Sequence, residues 1–296
     1  MPGARTRLAG VIGDPVRHSL SPAMHNAAFH ALGLDWVYLA FEVRTGHAGQ
    51  AIDAVRSLGI EGLSVTMPHK GDVVAAVDRL SSVAEALGAV NTVVRRPLDV
   101  LEGHNTDGAG FLGALAADEG FDPAGRRCLV AGAGGAGRAV VAALAGAGAA
   151  EVVVVNRTAG RAAAVAALAG PIGRVGTAAD TADADLVVNA TPVGMADVTA
   201  PAAEVRSLDG TTVETRVPVL PLIDADALGP GQLVVDLVYN PAVTPLVSEA
   251  RSRGATAVNG LGMLIHQAAL AFRLWTGEDP PLAAMSAAAL AELARQ

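Results

Sequence analysis

Lysine is all but missing from this chain. Of the 21 basic side chains among 296 residues, one is a lysine, Lys70, and 20 are arginines. Cysteine is equally scarce, with Cys128 alone. A single thiol excludes an internal disulfide and suits a reducing compartment. Cys128 sits inside the apolar run RCLVAG and is expected to be a small core residue. Surplus positive charge is absent as well. A net charge of -8 argues against a general nucleic-acid binder, which carries a basic face, and leaves room only for a local basic pocket for a small anion. Unbroken apolar runs are short. The most apolar stretch, Gly132 to Val155, is interrupted by Arg138 and Glu151, whereas a membrane span needs roughly 20 apolar residues. The opening MPGARTRLAG leads straight into GDPVRHS instead of a signal core. No membrane partner is expected, and a cytoplasmic location is.

What is present describes a globular chain, 51% apolar and 17% charged, long enough for two domains with proper cores. Short apolar runs alternate with helical stretches, which predicts an α/β fold with largely parallel sheets. LAGVI, VYLAFEV and LSVT read as strands in the first third, and helices begin near Pro22 and His47. Ser21-Pro22 reads as an N-cap followed by proline at the first helical position, with Gly33 closing that helix. A second unit begins near Gly110. RCLVAG, EVVVVN, DADLVVNA and QLVVDLVY read as its strands. GMLIHQAALAFRLWTG and LAAMSAAALAELARQ read as two closing helices. The Pro-rich, polar stretch from Asp197 to Gln232 is either an extended loop or a small excursion.

Gly132-Ala133-Gly134-Gly135-Ala136-Gly137 fits G-x-G-x-x-G. In a chain with 34 glycines the pattern alone is weak. Here a strand precedes it and an amphipathic helix follows, and that context gives it a mechanism: a tight turn lets the backbone approach a pyrophosphate resting at the helix N-terminus. An NAD site usually places Asp or Glu about 20 residues further on, to hold the ribose hydroxyls. This chain has Asn156, then Arg157, Thr158 and Arg161. Guanidiniums suit a 2′-phosphate that a carboxylate would repel, so NADP(H) is expected as cofactor. No metal is expected.

Four polar clusters stand outside that turn: His18 to Pro22, Ser64 to Lys70, Gly88 to Thr92, and Gly103 to Gly108. Each lies at or near the end of an apolar run, where parallel sheets place ligand-contacting loops. Taken singly, Ser21 could be a cap, Asn91 a turn residue and Asp107 the cap of the next helix.

Together the clusters GDPVRHSLSPAMHN, LSVTMPHK, GAVNTV and GHNTDGAGF, with GAGGAGRA, NRTAGR, NATPVGM, DLVYNP and NGLGMLIHQAA, resemble the shikimate dehydrogenase family in sequence and order. The resemblance covers essentially the whole chain. It implies reversible NADPH-dependent reduction of 3-dehydroshikimate to shikimate, on the route to aromatic amino acids, by a monomer or homodimer. It implies a substrate-binding domain over 1–109, completed by helices in 260–296, and a Rossmann-type NADP domain over 110–259. Carried over motif by motif, Ser19 and Ser21 would bind the substrate carboxylate and Tyr239 would close over it. Thr66, Asn91, Asp107 and Gln267 would hold the ring hydroxyls, and Lys70 with Asp107 matches the catalytic pair. Gly132 to Gly137 would take the pyrophosphate, Asn156, Arg157, Thr158 and Arg161 the adenosine phosphate, and Leu237, Gly260 and Met263 would lie beside the nicotinamide. The Asp197–Gln232 stretch is longer than the family's spacing leads one to expect. Broader quinate/shikimate dehydrogenases, a regulator without turnover and a folate dehydrogenase/cyclohydrolase remain as alternatives.

The resemblance also accounts for the lone lysine. Ketone reduction by hydride leaves an oxygen that must gain a proton, and the reverse reaction needs a base. An amine can exchange that proton, whereas arginine stays charged.

Overall fold

The computed structural model describes residues 2–195 and 221–295, and the backbone of 205–206 and 212–213. Most of the long stretch singled out after Asp197 therefore lies outside the described residues. The chain forms two compact units, Met1–Gly120 with Gly262–Gln296, and Phe121–Leu261. The division falls after Gly120 and not at residue 109, which keeps the whole helix that starts at Asp107 in the first unit.

The first unit is built from β1 (Arg7–Gly13), α1 (Ser21–Ala31), β2 (Trp36–Glu42), α2 (Ala48–Leu58), β3 (Gly62–Val65), β4 (Arg79–Leu80), α3 (Ser82–Leu87), β5 (Thr92–Arg95), β6 (Leu101–His104) and α4 (Asp107–Ala117). Its six strands run in the order β2-β1-β3-β5-β6-β4. β5 pairs antiparallel with both β3 and β6, so this sheet is mixed. The expectation of largely parallel sheets holds fully only in the second unit. Ile52 and Val55 of α2 pack with Ile12, Leu63, Val65, Val93 and Leu101 as one buried core.

α1 departs from the expected cap. Leu20 holds the N-cap position and Ser21 is the first helical residue, with no side-chain cap bond. Ser19 does part of that work, its Oγ accepting the Ser21 N–H at 3.2 Å. Gly33 follows the helix with φ +64°, donating to the His30 carbonyl, as a closing glycine should.

The second unit contains β7 (Arg127–Ala131), α5 (Gly135–Gly146), β8 (Glu151–Val155), α6 (Ala159–Ala166), β9 (Gly173–Val175), β10 (Leu186–Asn189), β11 (Val205–Arg206), β12 (Thr212–Val213), β13 (Leu233–Asp236), α7 (Pro245–Ser252) and β14 (Thr256–Asn259). Six of these strands form one sheet in the order β14-β13-β10-β7-β8-β9, all parallel. β10 and β13 are buried at every position, as strands covered on both faces must be. Cys128 in β7 is fully buried; burial, with Asp185 nearby, pushes its thiol up to about 12. It is a core residue, as expected. β11 and β12 pair antiparallel as a separate ribbon.

α8 (Leu261–Thr276) and α9 (Leu282–Leu293) return to the first unit. α8 lies close on the sheet and on α4. A Cβ on Gly62 would stand 2.4 Å from the Trp275 indole, and one on Gly110 2.6 Å from the Gln267 backbone. Glycine at both positions permits those approaches. Among the described residues no helix is long and apolar enough to cross a membrane.

Candidate active site

The turn after β3 carries Lys70, and three anchors hold it. The Val90 N–H donates to the Lys70 carbonyl at 2.8 Å, and the His69 N–H to Thr66 O at 3.0 Å. The His69 ring is fully buried, with Nε2 2.7 Å from the Val43 carbonyl. From this turn Lys70 Nζ reaches Asp107 Oδ2 at 2.6 Å, although 37 residues separate them. The Lys70 side chain is 18% exposed and that of Asp107 5%. Of the amine's three N–H bonds, one is spent on the carboxylate and the pair still touches solvent.

Asp107 opens α4, where a carboxylate is favoured by the helix dipole. Its Oδ1 accepts from Asn91 Nδ2 at 2.7 Å, and its backbone N–H is held by Asn105 Oδ1 at 3.1 Å. Thr106, not Asp107, occupies the N-cap position, so the capping role open to Asp107 is not the one it plays. Asn91 is no surface turn residue either; it is 3% exposed and organises the cluster. Its Oδ1 accepts from the Thr106 N–H at 2.9 Å and the Thr92 hydroxyl at 2.9 Å, while Nδ2 also reaches Thr106 Oγ1 at 2.9 Å. Gln267 on α8 joins through Oε1, 3.5 Å from Asn91 Nδ2 and from Thr106 Oγ1.

Lys70, Asn91, Asp107 and Gln267 thus meet in one hydrogen-bonded group. Thr66 lies at the start of the same turn, tied to Ile12 O through its N–H at 3.0 Å. Ser19 and Ser21 form their own pair at the start of α1. Thr92, Asn105 and Thr106, which stand in two of the polar clusters, complete the group. Their signal in the sequence was position, polar residues directly bordering the strands that flank Asn91 and Asp107.

In the second unit the glycine turn has the geometry its pattern predicts. Gly132 sits at φ +112°, a region that favours glycine, and its N–H donates to Val155 O at 2.8 Å. A Cβ on Gly137 would lie 2.2 Å from the Gly132 carbonyl oxygen, so the helix start packs directly on the turn. Gly134 caps α5 with open space where a side chain would be, leaving a cradle for a phosphate group beside Ala133, Gly135 and Ala136. These residues fit a dinucleotide.

At the end of β8, Asn156 Nδ2 donates to the Thr158 carbonyl at 3.1 Å, and Thr158 is the N-cap of α6. Arg157 and Arg161 are exposed there, with no acidic residue in the first turn of α6. Two cations beside a helix's positive end are unfavourable unless an anion joins them. Gly260 packs on Leu237, where a Cβ would be 2.1 Å from the Leu237 carbonyl oxygen. Tyr239 is half-buried and its phenol is raised by burial. Met263 is in α8 and belongs to the first unit by the division of the chain.

Sequence reasoning missed one group in this unit. Asp236 is fully buried at the end of β13, and burial raises its carboxyl above the ordinary carboxylate range. It accepts from Asn189 Nδ2 at 2.8 Å, the Val238 N–H at 3.1 Å and the Thr244 hydroxyl at 2.6 Å. Asn189 Oδ1 in turn takes the Thr191 N–H at 3.0 Å. The loop after β10 and the segment bearing Leu237 and Tyr239 are thereby braced against each other.

A parallel sheet with a glycine turn at a helix start, and in the companion unit a buried amine–carboxylate pair, fit the class of dinucleotide-dependent oxidoreductases. Related sequences narrow that class. Residues 11–93 match the family described as shikimate dehydrogenase substrate binding domain. Residues 114–202 match shikimate / quinate 5-dehydrogenase, and residues 260–290 the shikimate 5′-dehydrogenase C-terminal domain. The shikimate dehydrogenase (NADP(+)) of Methanopyrus kandleri is 46% identical over 300 residues, covering 98% of this chain and 97% of its own. That of Moorella thermoacetica is 45% identical, covering 95% and 92%. The crystal structure of shikimate 5-dehydrogenase from Thermus thermophilus in complex with NADP(H) and shikimate matches with a TM-score of 0.83 at 39% identity, over 97% of this chain and 99% of that one. The chain belongs to the shikimate dehydrogenase family.

Proposed function

We propose that this protein is an NADP-dependent shikimate dehydrogenase, reversibly reducing 3-dehydroshikimate to shikimate in aromatic biosynthesis in the cytoplasm, as a monomer or homodimer. The observation that carries the reading is the 2.6 Å Lys70–Asp107 pair in a chain of this family. NADP(H), when bound, supplies or takes up the hydride. In the reductive direction Lys70 Nζ gives a proton to the oxygen that becomes the hydroxyl, and in the oxidative direction it takes that proton back. Asp107 orients the amine and, with Asn91, Thr66 and Gln267, holds the ring hydroxyls. Ser19 and Ser21 bind the carboxylate. The substrate side is the unit of residues 1–120 and 262–296.

On the cofactor side, the Gly132–Gly137 turn takes the pyrophosphate. Asn156, Arg157, Thr158 and Arg161 take the 2′-phosphate end, and Leu237 and Gly260 flank the nicotinamide. Steady-state assays of shikimate and quinate, each with NADP+ and NAD+, test the reading. The highest kcat/KM is expected for shikimate with NADP+. Equal efficiency with NAD+ contradicts the cofactor assignment, equal efficiency with quinate contradicts the substrate assignment, and no turnover of shikimate contradicts the function.

A further inference from the structure

Asp236 takes no part in the roles above, although a buried carboxylate is costly to keep. It is fully buried at the end of β13, and its three donors carry no formal charge: the Asn189 amide at 2.8 Å, the Val238 N–H at 3.1 Å and the Thr244 hydroxyl at 2.6 Å. An ionised carboxylate accepts without donating, so each donor aimed at it has its direction fixed. An amide in its place can turn over and offer hydrogens instead.

Three segments take their direction from this carboxylate. With Asn189 Nδ2 committed to Asp236, Asn189 Oδ1 faces Thr191 and accepts both its N–H at 3.0 Å and its hydroxyl at 2.7 Å. Thr244 gives its hydrogen to Asp236 and accepts from the Val247 N–H at 3.2 Å, as the N-cap of α7. Asp236 Oδ1 holds the Val238 N–H, directly beyond Leu237, on whose backbone Gly260 packs.

The strand order shows what these segments face. In the sheet β14-β13-β10-β7-β8-β9, the glycine turn follows β7, and the start of α6 with Arg157 and Arg161 follows β8. A dinucleotide that leaves its adenosine phosphate beyond β8 and crosses at the turn puts its other end beyond β10 and β13, where Asn189 and Asp236 stand. The loop after β10 borders the turn itself, since a Cβ on Gly132 would lie 2.9 Å from Thr191 Cγ2.

We infer that Asp236 is a positioning residue for the nicotinamide, its carboxylate fixing, through Asn189, Val238 and Thr244, the walls against which the ring rests. The inference rests on the reading of this turn as an NADP(H) site. Loosening those walls misplaces the ring while the adenosine end stays held. In the full-length enzyme, Asp236→Asn should lose about 10-fold or more in kcat with shikimate and NADP+, and the fluorescence emission of bound NADPH should move towards that of free NADPH. Affinity for adenosine 2′,5′-bisphosphate, which has no nicotinamide, should stay within about 2-fold. Thr244→Val should show the same pattern, and Thr244→Ser, which keeps the hydroxyl, the parent values.

A merely structural carboxylate would lower the melting temperature in Asp236→Asn and leave kcat and the NADPH emission in place, and that result overturns the inference. Bisphosphate binding weakened as much as kcat overturns it too, since the whole unit has then loosened. If the bisphosphate fails to displace NADPH from the parent protein, the cofactor reading falls and the inference with it.

Discussion

His25 shows how far burial governs a single side chain. With no polar partner and no exposed surface, its ring is held neutral, its pKa lowered by desolvation to about 3. The unfolded chain takes up a proton at this ring near pH 6.5, whereas the folded protein does so only near pH 3. Stability from this group is complete above pH 6.5 and is lost as pH falls through that value towards 3, by at most ~1.4 kcal/mol per unit. His104, half-buried and lowered chiefly by desolvation, adds a loss of the same sign. Between pH 6.5 and 5, before most carboxylates titrate, denaturant midpoints should therefore fall for the parent protein and fall less for His25→Phe. Identical slopes would contradict the neutral burial of His25.

The same scale shows what can be read from a string of letters. Lys70 stood out because its type is unique and its neighbours are polar where a strand ends. Tyr38 gave no such signal. It is an ordinary strand residue, and its partnership with Ser64 spans 26 positions that only the β2-β1-β3 order brings together. Asp236 was hidden for the same reason. Its partner Asn189 is 47 residues away, on the neighbouring strand.

Among elements, those with local punctuation were legible. The strand–glycine turn–helix of β7 and α5 has the form its pattern predicts, because Gly132 and Gly137 are required by a positive φ and a close backbone approach. The start of α1 was displaced by one residue from its expected cap, since Ser19 rather than Ser21 supplies the hydroxyl that accepts a backbone N–H. The antiparallel β5–β6 hairpin was not foreseen, because a short strand carries no mark of direction. The start of α6 carries a prediction of its own. Arg157 and Arg161 have no ion-pair partner among the described residues, so their charge is free for a 2′-phosphate. Replacing both with Ala should raise KM for NADP+ about 10-fold or more and leave KM for NAD+ within about 2-fold. Equal effects on both cofactors would assign these arginines to general binding and not to the choice between them.

At the scale of the molecule, composition excluded classes and motif order supplied the family. The return of α8 to the first unit is what makes one hydrogen-bonded group from distant segments. Asn91 and Gln267 are 176 residues apart and meet because Gly110 lets α8 lie against α4. The central claim is that Lys70, held by Asp107, exchanges the proton. It is tested most directly by kcat at saturating shikimate and NADP+ for Lys70→Ala and Lys70→Arg. Both should lose about 10²–10⁴ in kcat, the scale of a positioned acid–base group, with KM for shikimate changed far less. An arginine variant turning over at close to the parent rate would contradict it, because a guanidinium keeps its charge in place but has no proton to exchange.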